Sequence, residues 1–189
     1  MPDADWWIAL WPDPTDTLRQ VGIGGGMTVI DLCCGDGYFT APMIRLIGDA
    51  GHVYAVDLDP EMLTQAKAAV EDERACTWIE ADARSLAGQI PNPVDYVLIA
   101  NTFHGIPDQP AFCEGVARAL RPGGRFAIIN WHKRPRVETP VLNKPRGPAS
   151  DMRMTPADTE AVVIPAGFAL EKTVELAPYH YGAVFKKTL

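Results

Sequence analysis

The stretch Val29-Ile30-Asp31-Leu32-Cys33-Cys34-Gly35-Asp36-Gly37-Tyr38-Phe39-Thr40 runs an apolar strand pattern into a turn with two glycines and then into a helical pattern. A strand, a glycine turn and a helix in direct succession belong to open α/β sheets, where the turn lies beyond the carboxyl end of a parallel strand. The rest of the chain repeats the theme. Short apolar runs at Met27–Cys33, His52–Asp57, Cys76–Glu80, Val94–Ala100 and Arg125–Trp131 read as strands, each bounded by Gly, Asp or Pro. Runs such as VYAV and YVLIA are apolar without alternation, so both faces are expected to be buried, as in a parallel sheet. Helical patterns at Tyr38–Ile47, Pro60–Glu71 and Gln109–Leu120 lie between them. Asp59 before Pro60 is a helix start, and Leu120-Arg121-Pro122-Gly123-Gly124 ends a helix and turns into a strand. The expectation is an α/β, Rossmann-like, doubly wound and mostly parallel seven-stranded sheet.

The last third reads differently. Residues from about 133 to 154 form a Pro-rich loop, and Thr155-Pro156-Ala157-Asp158 opens a short helix to about Ile164. Phe168–Leu176 and Tyr179–Lys187, joined through Ala177-Pro178, form an antiparallel C-terminal hairpin that adds its strands to the sheet. The 189 residues are expected to make one domain, with a helical cap over about residues 1–20. Trp6, Trp7 and Trp11 in that cap either pack it onto the domain or roof a ligand cleft.

Charge is unevenly spread. Residues 1–130 hold 8 Lys and Arg against 18 Asp and Glu, whereas residues 131–189 hold 9 against 6. The net charge of −7 speaks against general nucleic-acid binding. The basic excess between Lys133 and Arg153 reads as a solvated loop or as a lid over an anionic acceptor. No apolar run is long enough to cross a bilayer, so no membrane partner is expected. The start, MPDADWW, lacks the basic and apolar regions of a secretory signal. Cys33, Cys34, Cys76 and Cys113 form neither a disulfide framework nor a CxxC, so no metal is expected and a cytoplasmic setting is the simplest.

The acids select the ligand. Dinucleotide binders place a third glycine where Thr40 stands, and a pyrophosphate would be repelled by Asp31 and Asp36. An ammonium and a sulfonium would be attracted, and S-adenosylmethionine carries both without a phosphate. Asp57, at the end of the second strand, can accept both hydroxyls of a ribose or can cap the next helix, for which Asp59 is better placed. Asp82, after the third strand, can accept from an adenine amino group while the Ala83 N–H donates to the ring; alternatively it caps a turn.

VIDLCCGDGYFT, AVDLDPEM, EADA, VDYVLIAN and LRPGGRFAIINW together resemble the class I S-adenosylmethionine-dependent methyltransferases, over about residues 20–131. They are most similar to small bacterial enzymes related to the quinone-biosynthesis and arsenite methyltransferases. The resemblance implies that Gly35 and Gly37 let the cofactor lie against the loop and that Asp31 helps hold its methionine end, with Cys33 and Leu58 also at the cofactor. It implies Asp57 at the ribose hydroxyls, Asp82 and Ala83 at the adenine, and Asn101 facing the methionine moiety and the reacting methyl. Cys33-Cys34 departs from the family's usual Gly–Cys or Gly–Ser. The cysteine arrangement of the arsenite enzymes is absent, and no NPPY-type motif follows the fourth strand. His104, in the loop after that strand, is the candidate general base or a pocket-lining residue; a loop-stabilising hydrogen bond is its plainer role. His132 and His180 are weaker candidates, and His52 reads as structural. The expected reaction is methyl transfer to a small-molecule acceptor. The alternatives are a non-catalytic or partner-dependent binding module, and an enzyme acting on RNA or protein.

Overall fold

The computed structural model describes residues 4–70 and 76–188, with Ala4, Asp5 and Ala87 described by their backbone only. Its centre is a seven-stranded sheet of β1 (Thr28–Leu32), β2 (His52–Asp57), β3 (Cys76–Glu80), β4 (Val94–Ala100), β5 (Leu120–Trp131), β8 (Phe168–Leu176) and β9 (His180–Lys187). The strand order is β3-β2-β1-β4-β5-β9-β8. β1 to β5 are parallel, and β9 enters antiparallel to both β5 and β8. The order reverses between β1 and β4, which opens a crevice beyond their carboxyl ends.

The apolar strands bury both faces as their composition demands. Val29, Val53, Leu98 and Ile129 pack beneath α1 (Ala4–Leu10), α2 (Pro14–Val21) and α3 (Thr40–Ile47). Ile30, Val56, Ile99 and Ile128 pack on the other side with α5 (Gln109–Ala119) and the end of α6 (Pro156–Val163). Helix starts follow their sequence signals. Asp59 caps α4 (Pro60–Ala68) by accepting from the Glu61 N–H at 2.9 Å. Thr155 and Asp158 cap α6 reciprocally, at 3.0 and 2.9 Å.

Several boundaries differ from the expectation. The pattern at Tyr38–Ile47 becomes helical only at Thr40, because residues 33–39 are committed to the turn. The expected end of α4 at Glu71 and the first three residues of the N-terminal cap lie outside the described residues. β5 begins at Leu120, which pairs with Val94 before the register slips and resumes at Arg125 with Tyr96. The Pro-rich segment is not wholly irregular, since β6 (Pro140–Val141) and β7 (Lys144–Pro145) pair as a small separate hairpin. Among the described residues no helix is long and apolar enough to cross a membrane.

Candidate functional site

Two adjoining cavities occupy the crevice, sharing Cys33 and Thr102. The smaller, about 380 Å³, is lined by residues at the ends of β2 and β3: Asp57, Leu58, Met62, Asp82 and Ala83, with Ile106 opposite. The larger, about 450 Å³, holds Asp31, Cys34 and Asp36 from the β1 end, and Asn101 and His104 from the β4 end. Trp6, Trp7 and Trp131 wall it, and Arg136, Arg146 and Gly147 cover it.

The turn between the cavities is held by carboxylates. Asp57 accepts from the Gly35 N–H at 2.8 Å and, through its other oxygen, from the Asp59 N–H at 3.0 Å. Asp59 does the capping, so Asp57 is left facing the smaller cavity with lone pairs to spare. Asp31 is buried, and Thr40, standing where a third glycine would be, donates its hydroxyl to it at 2.5 Å. Burial is the main reason the Asp31 carboxyl is pushed up to about 6; the Thr40 hydrogen bond opposes this and nearby Asp57 adds to it. Cys33 holds a left-handed φ of 59° at the place where the resemblance implied glycine. Its thiol is pushed up to about 12, by burial first and then by Asp57, Asp31 and Asp82, so it stays protonated.

Gly37 carries a packing duty. A Cβ there would meet Ala66 of α4 at 2.9 Å, so this glycine serves the approach of turn to helix. Asp82 caps the turn that follows it and also lines the smaller cavity. It accepts from the Arg84 N–H at 2.9 Å and pairs with the Arg84 guanidinium, which holds its carboxyl down at about 2.

Asn101 ends β4 with a φ of 58°, and its side-chain Oδ1 is buried without a hydrogen-bond partner while the residue lines the larger cavity. An orphaned acceptor in a cavity calls for a donor on a ligand. His104 lines the same cavity, and burial lowers its pKa below 6.5, with nearby Asn130 opposing and Arg153 assisting. The ring is therefore neutral near pH 7 and able to accept a proton. His132 instead contacts Glu175 at 2.9 Å, and His52 contacts Thr77 at 2.8 Å, both away from the cavities. His180 is buried under the tryptophans rather than lining the site. Among the described residues no cluster of three His, Cys, Asp or Glu is placed to hold a metal ion.

The tryptophans pack the N-terminal helix and wall the cavity at once. Trp6 stacks on Trp7 at 4.0 Å and lies 5.8 Å from Trp131. Tyr38 fastens this helix to the turn, donating its hydroxyl to the carbonyls of Trp7, at 3.2 Å, and Trp11. The basic segment contributes Arg136, Arg146 and Gly147 to the lining of the larger cavity. Tyr38, Trp131, Arg136 and Arg146 were not singled out from the sequence, and only the local charge excess hinted at the last two.

The donor set in this crevice fits a ligand that is cationic at one end and carries a ribose and an adenine, since acids stand at the ends of β1, β2 and β3 beside an orphaned acceptor on β4. Comparison with known proteins agrees. The family model described as "Methyltransferase domain" matches residues 29–124. A 2-phytyl-1,4-naphtoquinone methyltransferase of Nostoc punctiforme is 32% identical over 57% of this chain and 48% of its own length. A ubiquinone/menaquinone biosynthesis C-methyltransferase of Shewanella halifaxensis is 30% identical over 62% of this chain and 47% of its own. The chain thus spans about half the length of these curated relatives. The crystal structure of a SAM-dependent methyltransferase from Aquifex aeolicus superposes with a TM-score of 0.81, at 25% identity, over 98% of this chain and 94% of that one. The fold and the crevice define a class I S-adenosylmethionine-dependent methyltransferase domain. This chain belongs to the methyltransferase-domain family.

Proposed function

We propose that the protein moves the methyl group of S-adenosylmethionine to a small-molecule nucleophile bound in the larger cavity. The observation that carries this reading is the pair of cavities meeting at Cys33 and Thr102, one lined by the β2 and β3 acids and the other by Asn101 and His104. In it, the smaller cavity takes the adenosine. Asp57 accepts the ribose hydroxyls, Asp82 and the Ala83 N–H meet the adenine, and exposed Leu58 covers its face. The methionine end passes the Cys33–Gly35 turn, where Asp31 and the Asn101 Oδ1 accept from its ammonium.

Bound S-adenosylmethionine supplies a methyl carbon on a positively charged sulfur, a leaving group that needs no further activation. The work left to the chain is alignment and desolvation. Holding both partners in line contributes roughly 7–11 kcal/mol at best. The acceptor's bond to the methyl carbon forms as the carbon–sulfur bond breaks, and the electron pair stays on sulfur. Where the acceptor must lose a proton, the neutral His104 ring takes it.

Calorimetric titration with S-adenosylmethionine and, separately, NAD tests the reading. The expected result is micromolar binding of the first only, weakened at least about tenfold in Asp57→Ala as hydrogen bonds to a charged acceptor are lost. Binding of NAD, or of neither ligand, would overturn it.

A further inference from the structure

The segment over the larger cavity carries an excess of positive charge, and its cavity-facing arginines have no carboxylate partner among the described residues. Residues 133–154 carry six Lys and Arg against two Asp and Glu. Among the described residues, no carboxylate pairs with Arg136, Arg146 or Arg153. The acids of the cavity, Asp31 and Asp36, come from the opposite, β1 side.

The arginines are nevertheless deliberately placed. Arg153 is 2% exposed, with its guanidinium 5.0 Å above the Trp131 ring. Its Nη2 donates to the Arg146 carbonyl at 2.9 Å and the Thr139 hydroxyl at 3.0 Å, while its Nη1 is buried with no partner. Arg146 is thereby fixed by its backbone, which also donates to the Thr139 carbonyl at 3.1 Å. Its guanidinium lies 6.0 Å from the Trp6 ring, and its Nε is buried and unpartnered while the residue lines the cavity. Gly147 makes this close stacking possible. At a φ of 83°, a Cβ there would lie 2.7 Å from the Trp131 ring. Of these two unpartnered guanidinium atoms, the Arg146 Nε belongs to a residue that lines the cavity, and leaving it buried is costly unless an anion completes it. A guanidinium fork suits a carboxylate or phosphate oxygen pair.

We propose that the methyl acceptor is a flat, apolar molecule bearing an anionic group. Its body lies against Trp6 and Trp131 and its anion on Arg146, with Arg136 at the rim. The inference rests on the methyltransferase reading of the same crevice and names its acceptor class. The competing anion is the carboxylate of S-adenosylmethionine itself. Topology favours the acceptor. The ammonium end is assigned to the β1 turn, and its carboxylate sits on the same carbon. The arginines of the segment follow β5, two strands away, which is roughly 10 Å at the usual strand spacing. A polymer such as RNA is disfavoured by the tryptophan walls and by the −7 net charge.

The test uses the full chain, saturated with S-adenosylhomocysteine, and the matched probes 2-naphthoate and 2-naphthamide, followed by calorimetry. Naphthoate is expected to bind at least about tenfold more tightly than the amide, as charge-assisted pairs do. Arg146→Gln should abolish that preference while S-adenosylmethionine affinity stays within about twofold, and Arg146→Lys should restore part of it. Circular dichroism confirms that each variant is folded, and a variant that fails this is replaced by Arg136→Gln, expected to lose a smaller part of the preference. Equal binding of the two probes, or binding of neither, overturns the proposal. So does an equal loss of S-adenosylmethionine affinity in Arg146→Gln, which would give the arginine to the donor's carboxylate. Salt-sensitive RNA binding through Arg146 without naphthoate binding overturns it as well. Failure of S-adenosylmethionine to bind the unaltered protein sinks the methyltransferase reading instead, and is read in a separate titration.

Discussion

Asp31 sets a pH dependence that a surface carboxylate would not. Its native pKa of about 6 lies above the ordinary carboxyl value of 3.8. Between those values the folded chain holds more protons than the unfolded one, so this group's contribution to stability is present below about 3.8 and is lost as pH rises to 6. The size is about 3 kcal/mol, at 1.36 kcal/mol per pKa unit. The ionised form is the one that attracts an ammonium, so S-adenosylmethionine affinity should climb between pH 5 and 7 and then level off. In Asp31→Asn the climb should flatten, and urea unfolding at pH 7 should show a more stable protein, since the Asn oxygen still accepts from Thr40. An unchanged affinity profile in the variant would remove Asp31 from the site. Cys33 makes a second prediction at this scale. Its φ of 59° costs roughly 1 kcal/mol in a residue with a Cβ. Cys33→Gly relieves that strain but adds freedom to the unfolded chain, which offsets part of the gain. Thermal unfolding is therefore expected to move by no more than about 4 °C. A large loss of stability would mean that the thiol makes contacts the site depends on.

The turn between β1 and α3 acts as an element only because α4 lets it approach. Gly37→Ala combines an unfavourable φ of 83° with an approach of 2.9 Å to the Cα and Cβ of Ala66, and should cost about 1–3 kcal/mol. Adding Ala66→Gly removes the Cβ contact but leaves the Ala66 Cα at 2.9 Å and the φ unchanged, so a double-mutant cycle should return a small favourable coupling and an incomplete rescue. Strictly additive losses in denaturant titration would show that the two do not touch. The centre of the sheet was legible because β1, β4 and the second half of β5 are apolar on both faces, and the helix starts because their caps are local signals, as with Asp59-Pro60 and Thr155-Pro156. Asp31, Asp57 and Asp82 were legible as candidates because each lies within two residues of the carboxyl end of a strand. The segment over the larger cavity was not legible in the same way. β6 and β7 are two residues long, contain prolines, and are tied down by Arg153 and Thr139 across the segment, contacts that no periodicity announces. Arg153 itself reads as one charge in a polar run, yet it is buried because Gly147 and Trp131 make a bed for it.

At the scale of the whole molecule, His180 joins the C-terminal hairpin to the N-terminal helix and to the end of β5. Its ring, 1% exposed, lies 4.1 Å from Trp131, 4.5 Å from Trp11 and 6.5 Å from Trp7, and neither nitrogen has a hydrogen-bond partner. Burial holds its pKa well below 6.5, with His132 and Arg153 pushing the same way. The folded state therefore keeps this imidazole neutral at a pH where the unfolded chain already takes up a proton. With the unfolded state binding more protons, stability is full above about 6.5 and falls as pH drops below it. This slope runs opposite to that of Asp31, and it acts on the same rings that wall the larger cavity. His180→Phe removes two unsatisfied nitrogens and the titration together. It should raise stability at pH 7 by about 1 kcal/mol, and by more at pH 5, where the native histidine is losing ground. Urea unfolding followed by tryptophan fluorescence at the two pH values reads both effects. A variant that gains nothing at pH 7 and still loses stability in parallel with the unaltered protein toward pH 5 would show that another group controls the acid limb.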